Sequence, residues 1–124
     1  MIVEDNERNL KLLRDVLGAY GYRTIDARSG EEAIAIVRSE RPELVLMDIQ
    51  LPGMDGVEAL RELRRYDELT GVPIVAVTAF VMKEDRARFL GAGFDGYLEK
   101  PVDIRVLRSL VDSYLGPGGR GAQS

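Results

Sequence analysis

Short apolar runs alternate along this chain with segments whose apolar residues recur at helical spacing. The first run is Ile2–Val3, and after it Leu10, Leu13 and Leu17 repeat every three or four residues. The first pattern is typical of a buried strand and the second of an amphipathic helix. The start of the chain therefore predicts a strand followed by a helix.

The same alternation continues to the end of the chain. Tyr22–Ala27 predicts a second strand, and Ser29-x-x-Glu32 is a capping box that opens a second helix. The remaining predicted elements are a strand at Leu44–Met47, a helix with Val57, Leu60 and Leu63, a strand at Ile74–Val77, a helix at Lys83–Leu90, a strand at Tyr97–Leu98, and a last helix capped by Asp103 with Leu107, Leu110, Val111 and Tyr114 inward.

The predicted strands are continuous apolar runs, which indicates burial on both faces of a sheet. Five such strands alternating with five helices favour an α/β fold with a parallel sheet between two helical layers. This single domain is predicted to span residues 1–115. Residues 116–124, GPGGRGAQS, hold much glycine and little apolar surface, so they are predicted to be a disordered tail.

Composition removes several classes of chemistry. The chain has no Cys, which excludes disulfides, thiolate zinc sites and cysteine nucleophiles. It also has no His, so imidazole bases and imidazole metal sites are absent. What remains is carboxylate, hydroxyl and lysine chemistry, which is most naturally combined with an oxygen-binding cation such as Mg²⁺.

Charge and hydropathy restrict the kinds of partner that the protein can bind. The formal net charge is −4, and no basic run is longer than Arg64-Arg65, which argues against a nucleic-acid surface. No apolar run is long enough for a membrane span, and no leader pattern precedes the first acids. We expect a cytoplasmic protein that binds neither nucleic acid nor membranes.

Polar residues follow the predicted strands at their carboxyl ends. Glu4 and Asp5 follow the first strand, Asp48 the third, Thr78 the fourth and Lys100 the fifth. Right-handed crossovers place these ends along one edge of a parallel sheet, where ligands bind at the topological switch point. We therefore expect these side chains to form one site.

Three carboxylates at one edge repel one another unless they share a cation. Mg²⁺ suits Glu4, Asp5 and Asp48, with the backbone carbonyl of Gln50 and waters completing the coordination. A metal would also let the Asp48 carboxylate attack a phosphoryl group, since it neutralises charge between two anions. Lys100 and Thr78 are then placed to hold phosphoryl oxygens.

Four motifs in order, IVEDN, LVLMDIQLPGMDG, VTAF and GYLEKP, resemble the receiver domain of bacterial two-component response regulators. The similarity spans roughly residues 1 to 115 and is strongest to stand-alone receivers and receivers attached to hybrid histidine kinases. The resemblance implies a flavodoxin-like (βα)5 doubly wound sheet with strand order 2-1-3-4-5.

The resemblance also implies residue roles. Asp48 would take a phosphoryl group from a histidine on a partner kinase or phosphotransfer protein, with Glu4 and Asp5 as the acidic pair that binds the metal. Thr78 matches the switch hydroxyl of the family, Tyr97 its switch aromatic and Lys100 its phosphate-binding lysine. The following Pro101 is usually preceded by a cis peptide. Because this chain has no His, the donor histidine must lie on another molecule.

The implied output is a change in the surface of the fourth helix, fifth strand and fifth helix, read by a downstream target protein. Such a protein is expected to be a monomer or a weak phosphorylation-dependent dimer. It is not expected to be an enzyme in the usual sense, because the resemblance implies that it catalyses only its own phosphoryl transfer and dephosphorylation. Gln50 and Phe80 flank the site and are expected to influence hydrolysis.

Three other functions use some of the same residue types. An aspartate-nucleophile phosphatase of the haloacid dehalogenase type needs a second Asp two residues after the first, where Gln50 stands. A nucleotide-binding domain needs a glycine-rich loop after strand one, where Asn6–Asn9 stands. A receiver-like interaction module that never carries phosphate remains an alternative. Asp55 is predicted to be a cap or loop residue.

Overall fold

The structure, a computed structural model, describes residues 1–51, 53–54, 56–79 and 83–116, without the side chain of Lys83. The predictions made for Asp55, for Phe80 and for the tail beyond Gly116 lie outside these residues.

Five parallel strands form one sheet in the order 2-1-3-4-5. The strands are β1 (Ile2–Val3), β2 (Asp26–Ala27), β3 (Val45–Asp48), β4 (Ile74–Thr78) and β5 (Gly96–Glu99). The strand order confirms the flavodoxin-like fold class. It places β1 and β3 beside each other at the point where the chain reverses its direction across the sheet.

Helices alternate with the strands as predicted. They are α1 (Glu7–Ala19), α2 (Gly30–Glu40), α3 (Gly56–Leu63), α4 (Lys83–Ala92) and α5 (Ile104–Leu115), with a 3-10 turn at Asp67–Leu69. Side-chain oxygens of Asn6, Ser29 and Asp103 cap α1, α2 and α5 by accepting backbone N–H bonds. Among the described residues, no helix has both the length and the apolar character of a membrane span.

Two apolar cores cover the two faces of the sheet. On one face, α1 and α5 pack through residues such as Leu13 and Leu107. On the other face, α2, α3 and α4 pack through Val37, Leu60 and Phe89. Burial of β3 and β4 on both sides explains why these strands read as continuous apolar runs.

Two predictions differ from the structure by more than a shift of one or two residues at the end of an element. The second strand was predicted at Tyr22–Ala27, but only Asp26–Ala27 is assigned to β2, because this edge strand has a single neighbour, β1. Tyr114 was predicted to point inward, and its side chain is instead exposed. Its hydroxyl donates a hydrogen bond to the Asp95 carbonyl, which keeps the polar end of the ring at the surface.

Candidate functional site

The predicted site residues meet at the carboxyl edge of the sheet. Asp48 and Thr78 are the last residues of β3 and β4, Glu4 directly follows β1, and Lys100 directly follows β5. Glu4, Asp48 and Thr78 are 1%, 5% and 2% exposed. Buried carboxylates next to one another require compensation by a cation or a proton.

Lys100 supplies part of that compensation. Its Nζ donates a hydrogen bond of 3.0 Å to Asp48 Oδ2 and lies 3.2 Å from Glu4 Oε1. The peptide bond between Lys100 and Pro101 is cis, as the family resemblance implied. The lysine therefore reaches both buried acids from the end of β5.

Asp48 is held through both of its carboxylate oxygens. Oδ1 accepts a hydrogen bond of 3.0 Å from the backbone N–H of Gln50, while Oδ2 accepts the bond from Lys100. Gln50 is exposed, and the hydrogen bond that it gives to the aspartate comes from its main chain. These bonds fix the orientation of the Asp48 carboxylate at the mouth of the site.

Glu4 has one satisfied and one unsatisfied oxygen. Oε2 accepts a hydrogen bond of 3.2 Å from the backbone N–H of Asn6. Oε1 lies at ion-pair distance from Lys100, but the pair lacks hydrogen-bond geometry, and Oε1 has no hydrogen-bond partner among the described residues. A buried carboxylate oxygen without a full partner is a feature of a site that can accept a cation.

Glu4, Asp5 and Asp48 together form a group able to bind a metal. One carboxylate oxygen from each lies within 4.8 Å of the others. Asp5 is exposed, whereas Glu4 and Asp48 are buried, so the group opens to solvent on the side of Asp5. The residues predicted as metal ligands are therefore brought together, with one ligand accessible from outside.

Two ionisable groups of the site have shifted pKa values. Burial, aided by the close approach and the negative charge of the Asp48 carboxylate, raises the pKa of Glu4 to about 7. Burial alone would lower the pKa of Lys100, but its hydrogen bond to Asp48 and the nearby charges of Asp48 and Glu4 raise it above the usual value. Lys100 therefore stays charged, while Glu4 can carry a proton near neutral pH when no metal is bound.

The start of α3 packs directly against the end of β3. The N–H of Gly56 donates a hydrogen bond of 2.8 Å to the Ile49 carbonyl. A Cβ added to Gly56 would lie 2.8 Å from the Asp48 carbonyl oxygen and 2.8 Å from Ile49 Cα. Only glycine permits this approach, which fixes the main chain that carries Asp48.

Thr78 and Tyr97 lie on the same face of the sheet. Tyr97 is paired with Ala76 in the parallel register of β4 and β5, and Thr78 is two residues further along β4. Because side chains alternate along a strand, Ala76, Thr78 and Tyr97 point to one side. Thr78 is buried, and Tyr97 is half-buried against the core on that face.

Two contributors to the site were not predicted from the sequence. Asn6 was not singled out, although its backbone N–H binds Glu4 and its side chain caps α1. Gly56 was also missed, although the Asp-Gly pair before a helix is a turn signal that could have identified it. Both act through the main chain, which side-chain motifs do not reveal.

The sequence profile of the response regulator receiver domain matches residues 1–112 of the chain. Among relatives, the polar-differentiation response regulator DivK of Brucella anthropi is 48% identical over 116 residues, covering 94% of this chain and 94% of that protein. The protein of the same name from Brucella abortus strain S19 is 47% identical with the same coverage.

Solved structures of receiver domains and response regulators are also similar to this chain. The receiver domain of the sensor histidine kinase PA1611 from Pseudomonas aeruginosa PAO1, described with a magnesium ion coordinated in its active site cleft, is 35% identical with a TM-score of 0.84 over 93% of this chain and 94% of its own. A putative response regulator from Chloroflexus aurantiacus is 31% identical, with a TM-score of 0.86 over 92% and 93%. Chemotaxis protein CheY4 of Vibrio cholerae, 24% identical with a TM-score of 0.86 over 92% and 95%, shares the fold.

Proposed function

Because the chain belongs to the response regulator receiver domain family, and so acts in two-component signalling, we propose that Asp48 is its phosphoacceptor. The observation that supports this most strongly is the setting of the Asp48 carboxylate. It lies at the end of β3, is held by Gln50 N–H and Lys100, and lies within 4.8 Å of two further acids.

The donor set fits Mg²⁺. Glu4, Asp5 and Asp48 offer oxygen ligands only, Glu4 Oε1 lacks a hydrogen-bond partner among the described residues, and Asp5 is open to solvent. These three side chains would hold the ion, with the backbone carbonyl of Gln50 as the fourth protein ligand of the proposal. When bound, Mg²⁺ supplies the positive charge that lets a carboxylate approach a phosphoryl group.

The chain's own residues then perform the transfer. An Asp48 oxygen attacks phosphorus, an O–P bond forms, and the N–P bond to the donor histidine breaks, leaving the electron pair on the imidazole. Lys100 exchanges its bond to Asp48 for one to a phosphoryl oxygen, and the Thr78 hydroxyl donates to another. The protein catalyses its own phosphorylation and dephosphorylation, without turnover of a separate substrate.

A protein donor is supported by the surface next to the site. A small cavity beside Glu4 and Lys100 is lined by Leu12, Pro101 and Val102. Leu12 is 42% exposed, and it is one of five large apolar side chains that are exposed among the described residues. Apolar surface within reach of a phosphoacceptor suits a histidine kinase or phosphotransfer protein.

The signal leaves through the surface of α4, β5 and α5. Tyr97 on β5 shares a sheet face with Thr78, which supports the proposal that a shift of Thr78 toward phosphate is followed by movement of the Tyr97 ring inward. A downstream protein would bind this surface. We further propose that the protein works in the cytoplasm as a monomer or a weak phosphorylation-dependent dimer and contacts neither DNA nor membrane directly.

Phosphoryl transfer can be tested with purified protein, Mg²⁺ and a phosphorylated histidine phosphotransfer domain as donor. We expect the label to pass to the wild type and not to Asp48→Asn, and chelation of Mg²⁺ to stop it. Equal labelling of both proteins would place the acceptor elsewhere. Complete absence of labelling, with acetyl phosphate as donor as well, would favour an interaction module that works without phosphate.

A further inference from the structure

Arg86 lies over the ring of Tyr97, with its guanidinium carbon 5.2 Å from the ring centroid. This distance is within the range of a cation–π interaction. Arg86 has no carboxylate at ion-pair distance among the described residues, so the aromatic ring is its charge-stabilising neighbour. The contact joins α4 to β5.

The helix dipole does not explain why an arginine occupies this position. Arg86 is in the first turn of α4, where the helix dipole disfavours a positive charge. The other charged side chains described in that turn, Glu84 and Asp85, have the sign that the dipole favours. The ring of Tyr97 provides the compensating interaction for Arg86.

Among the side chains that the structure describes in the N-terminal half of α4, Asp85 is half-buried and the others are exposed. Phe89 is the buried side chain among the described residues of this helix, and its ring meets Phe94 edge to face at 6.3 Å. Phe89 therefore anchors the second half of α4. In the first half, the Arg86–Tyr97 contact is the described side-chain link to β5.

We propose that Arg86 is a positioning residue that couples the Tyr97 ring to the first turn of α4, so that a change at Thr78 reaches the helix surface. The inference rests on the proposed phosphorylation of Asp48, which gives Thr78 and Tyr97 their roles. It adds a specific carrier for the signal between β5 and α4. If the first turn of α4 had no contact with the Tyr97 ring, it would not move with the ring. The Arg86 guanidinium provides that contact, so the turn and the ring move together.

The contact itself can be tested without phosphorylation. The amides of Ala87 and Arg88 close the first turn of α4 by bonding four residues back, so their hydrogen exchange reports its opening. We expect Arg86→Gln to speed this exchange about two- to fivefold, as a cation–π contact of ordinary strength predicts. In a Tyr97→Leu background the same substitution should add nothing, and additive effects would refute the contact.

The coupling is tested with Mg²⁺ and beryllium fluoride as the phosphoryl mimic, followed by NMR. In the wild type we expect the amides of Gln50 and Lys100, the Tyr97 ring and the first turn of α4 all to shift. In Arg86→Gln the shifts of Gln50 and Lys100 should remain, while those of the α4 turn fall at least twofold. Arg86→Lys should restore them in part, because an ammonium group also binds an aromatic face.

Arg88 provides the matched control. It is an exposed arginine of the same helix whose guanidinium carbon lies 5.0 Å from the Phe89 ring and whose Nη2 lies 3.7 Å from Asp85 Oδ1 in the first turn. Arg88→Gln should respond to beryllium fluoride as the wild type does. The coupling role is refuted if Arg86→Gln also behaves as the wild type, or if Arg88→Gln reduces the α4 response equally. A wild type without any shift at Gln50 would contradict the proposed function instead, and the hydrogen-exchange cycle would still decide the contact.

Discussion

At the scale of single residues, the site depends on a lysine shared by two buried acids. Lys100 Nζ lies 3.0 Å from Asp48 Oδ2 and 3.2 Å from Glu4 Oε1, and its side chain is 22% exposed. The ammonium group offsets part of the carboxylate repulsion before any metal binds. It also occupies an oxygen of Asp48 that must become available for transfer.

Removal of this lysine should destabilise the metal-free protein. Lys100→Met keeps most of the volume but leaves Glu4 and Asp48 without their cation, and we expect a loss of about 1–3 kcal/mol in the free energy of unfolding by urea. Lys11→Met is the control, because the Lys11–Asp15 pair is exposed and its loss should change stability by about 0.5 kcal/mol or less. A Lys100→Met protein as stable as the control would contradict this role.

The raised pKa of Glu4 predicts that the stability of the metal-free protein depends on pH. Its folded-state pKa is raised to about 7 from an ordinary value of 4.5. A group raised in this way stabilises the fold fully below its unfolded pKa and loses that contribution as the pH rises through the folded value. We expect the melting temperature of metal-free wild type to fall between about pH 5 and about pH 8, relative to Glu4→Gln. Parallel pH profiles of the two proteins would contradict the assignment.

The same proton competes with the metal. Mg²⁺ binding requires ionised Glu4, so affinity should rise as the pH increases through about 7, with proton release on binding. Isothermal titration in two buffers of different protonation enthalpy would measure this release. Uptake of protons, or affinity independent of pH, would mean that Glu4 is not a ligand.

The sequence predicts which polar residues lie at this edge of the sheet. It does not predict that some of them are buried and others exposed. The rule that parallel strands end at one edge brought Glu4, Asp48, Thr78 and Lys100 together correctly. The buried state of Glu4 and the exposed state of its neighbour Asp5 depend on how β1 sits between β2 and β3. The contact of Arg86 with Tyr97 likewise depends on the placement of α4, which a motif does not encode.

At the scale of elements, a tyrosine joins the segment before β2 to the end of α5. The Tyr22 hydroxyl lies 2.7 Å from Asp112 Oδ1 and 3.0 Å from the Gly116 carbonyl oxygen, and both of these oxygens are acceptors to which it can donate. Since the hydroxyl carries a single hydrogen, it donates to only one of them at a time. This link spans ninety positions in sequence and fixes the last helix beside α1.

Tyr22→Phe should loosen the end of α5 without changing the core. The ring remains, and the loss of the hydroxyl bond should cost about 1 kcal/mol in chemical unfolding. Tyr66→Phe serves as the control, because Tyr66 is half-buried and its hydroxyl has no hydrogen bond among the described residues. Equal effects of the two substitutions would show that the Tyr22 bonds do not stabilise the fold.

The elements predicted correctly are those whose position is set by burial on both faces. The predictions failed for an edge strand and for a side chain at the surface. β3 and β4 are covered on both faces, and each end of their predicted ranges lies within one residue of the observed end. Around β2, apolar Tyr22 and Ile25 read as strand, yet Tyr22 packs into the core under α1 and α5 instead of extending the ladder. Tyr114 matched the helical period but lies at the surface beside β5.

At the scale of the whole molecule, the metal site joins the ends of β1 and β3 at the centre of the sheet. Unfolding separates Glu4 and Asp5 from Asp48 and so destroys the site. A ligand that binds only the folded state stabilises it by mass action. Metal binding and global stability are therefore linked.

Mg²⁺ at a hundred times its dissociation constant should raise the free energy of unfolding by about 2.7 kcal/mol. Asp5→Asn should lose most of this gain at the same concentration, while the metal-free protein keeps its stability because Asp5 is exposed. Asp15→Asn, which alters an exposed acid on α1, should keep the full gain. Thermal unfolding with and without a chelator checks this, and an equal gain for Asp5→Asn would remove it from the ligand set.

The central claim, that Asp48 carries the phosphoryl group, is tested most directly by trapping the acyl phosphate. The protein is incubated with Mg²⁺ and acetyl phosphate, reduced with borohydride, digested and sequenced by mass spectrometry. Reduction converts a phosphorylated aspartate to homoserine, and we predict homoserine at position 48 and at no other acid. Homoserine at Asp5 or another aspartate, a reduced Glu4, or no reduced residue at all, would contradict the assignment of Asp48.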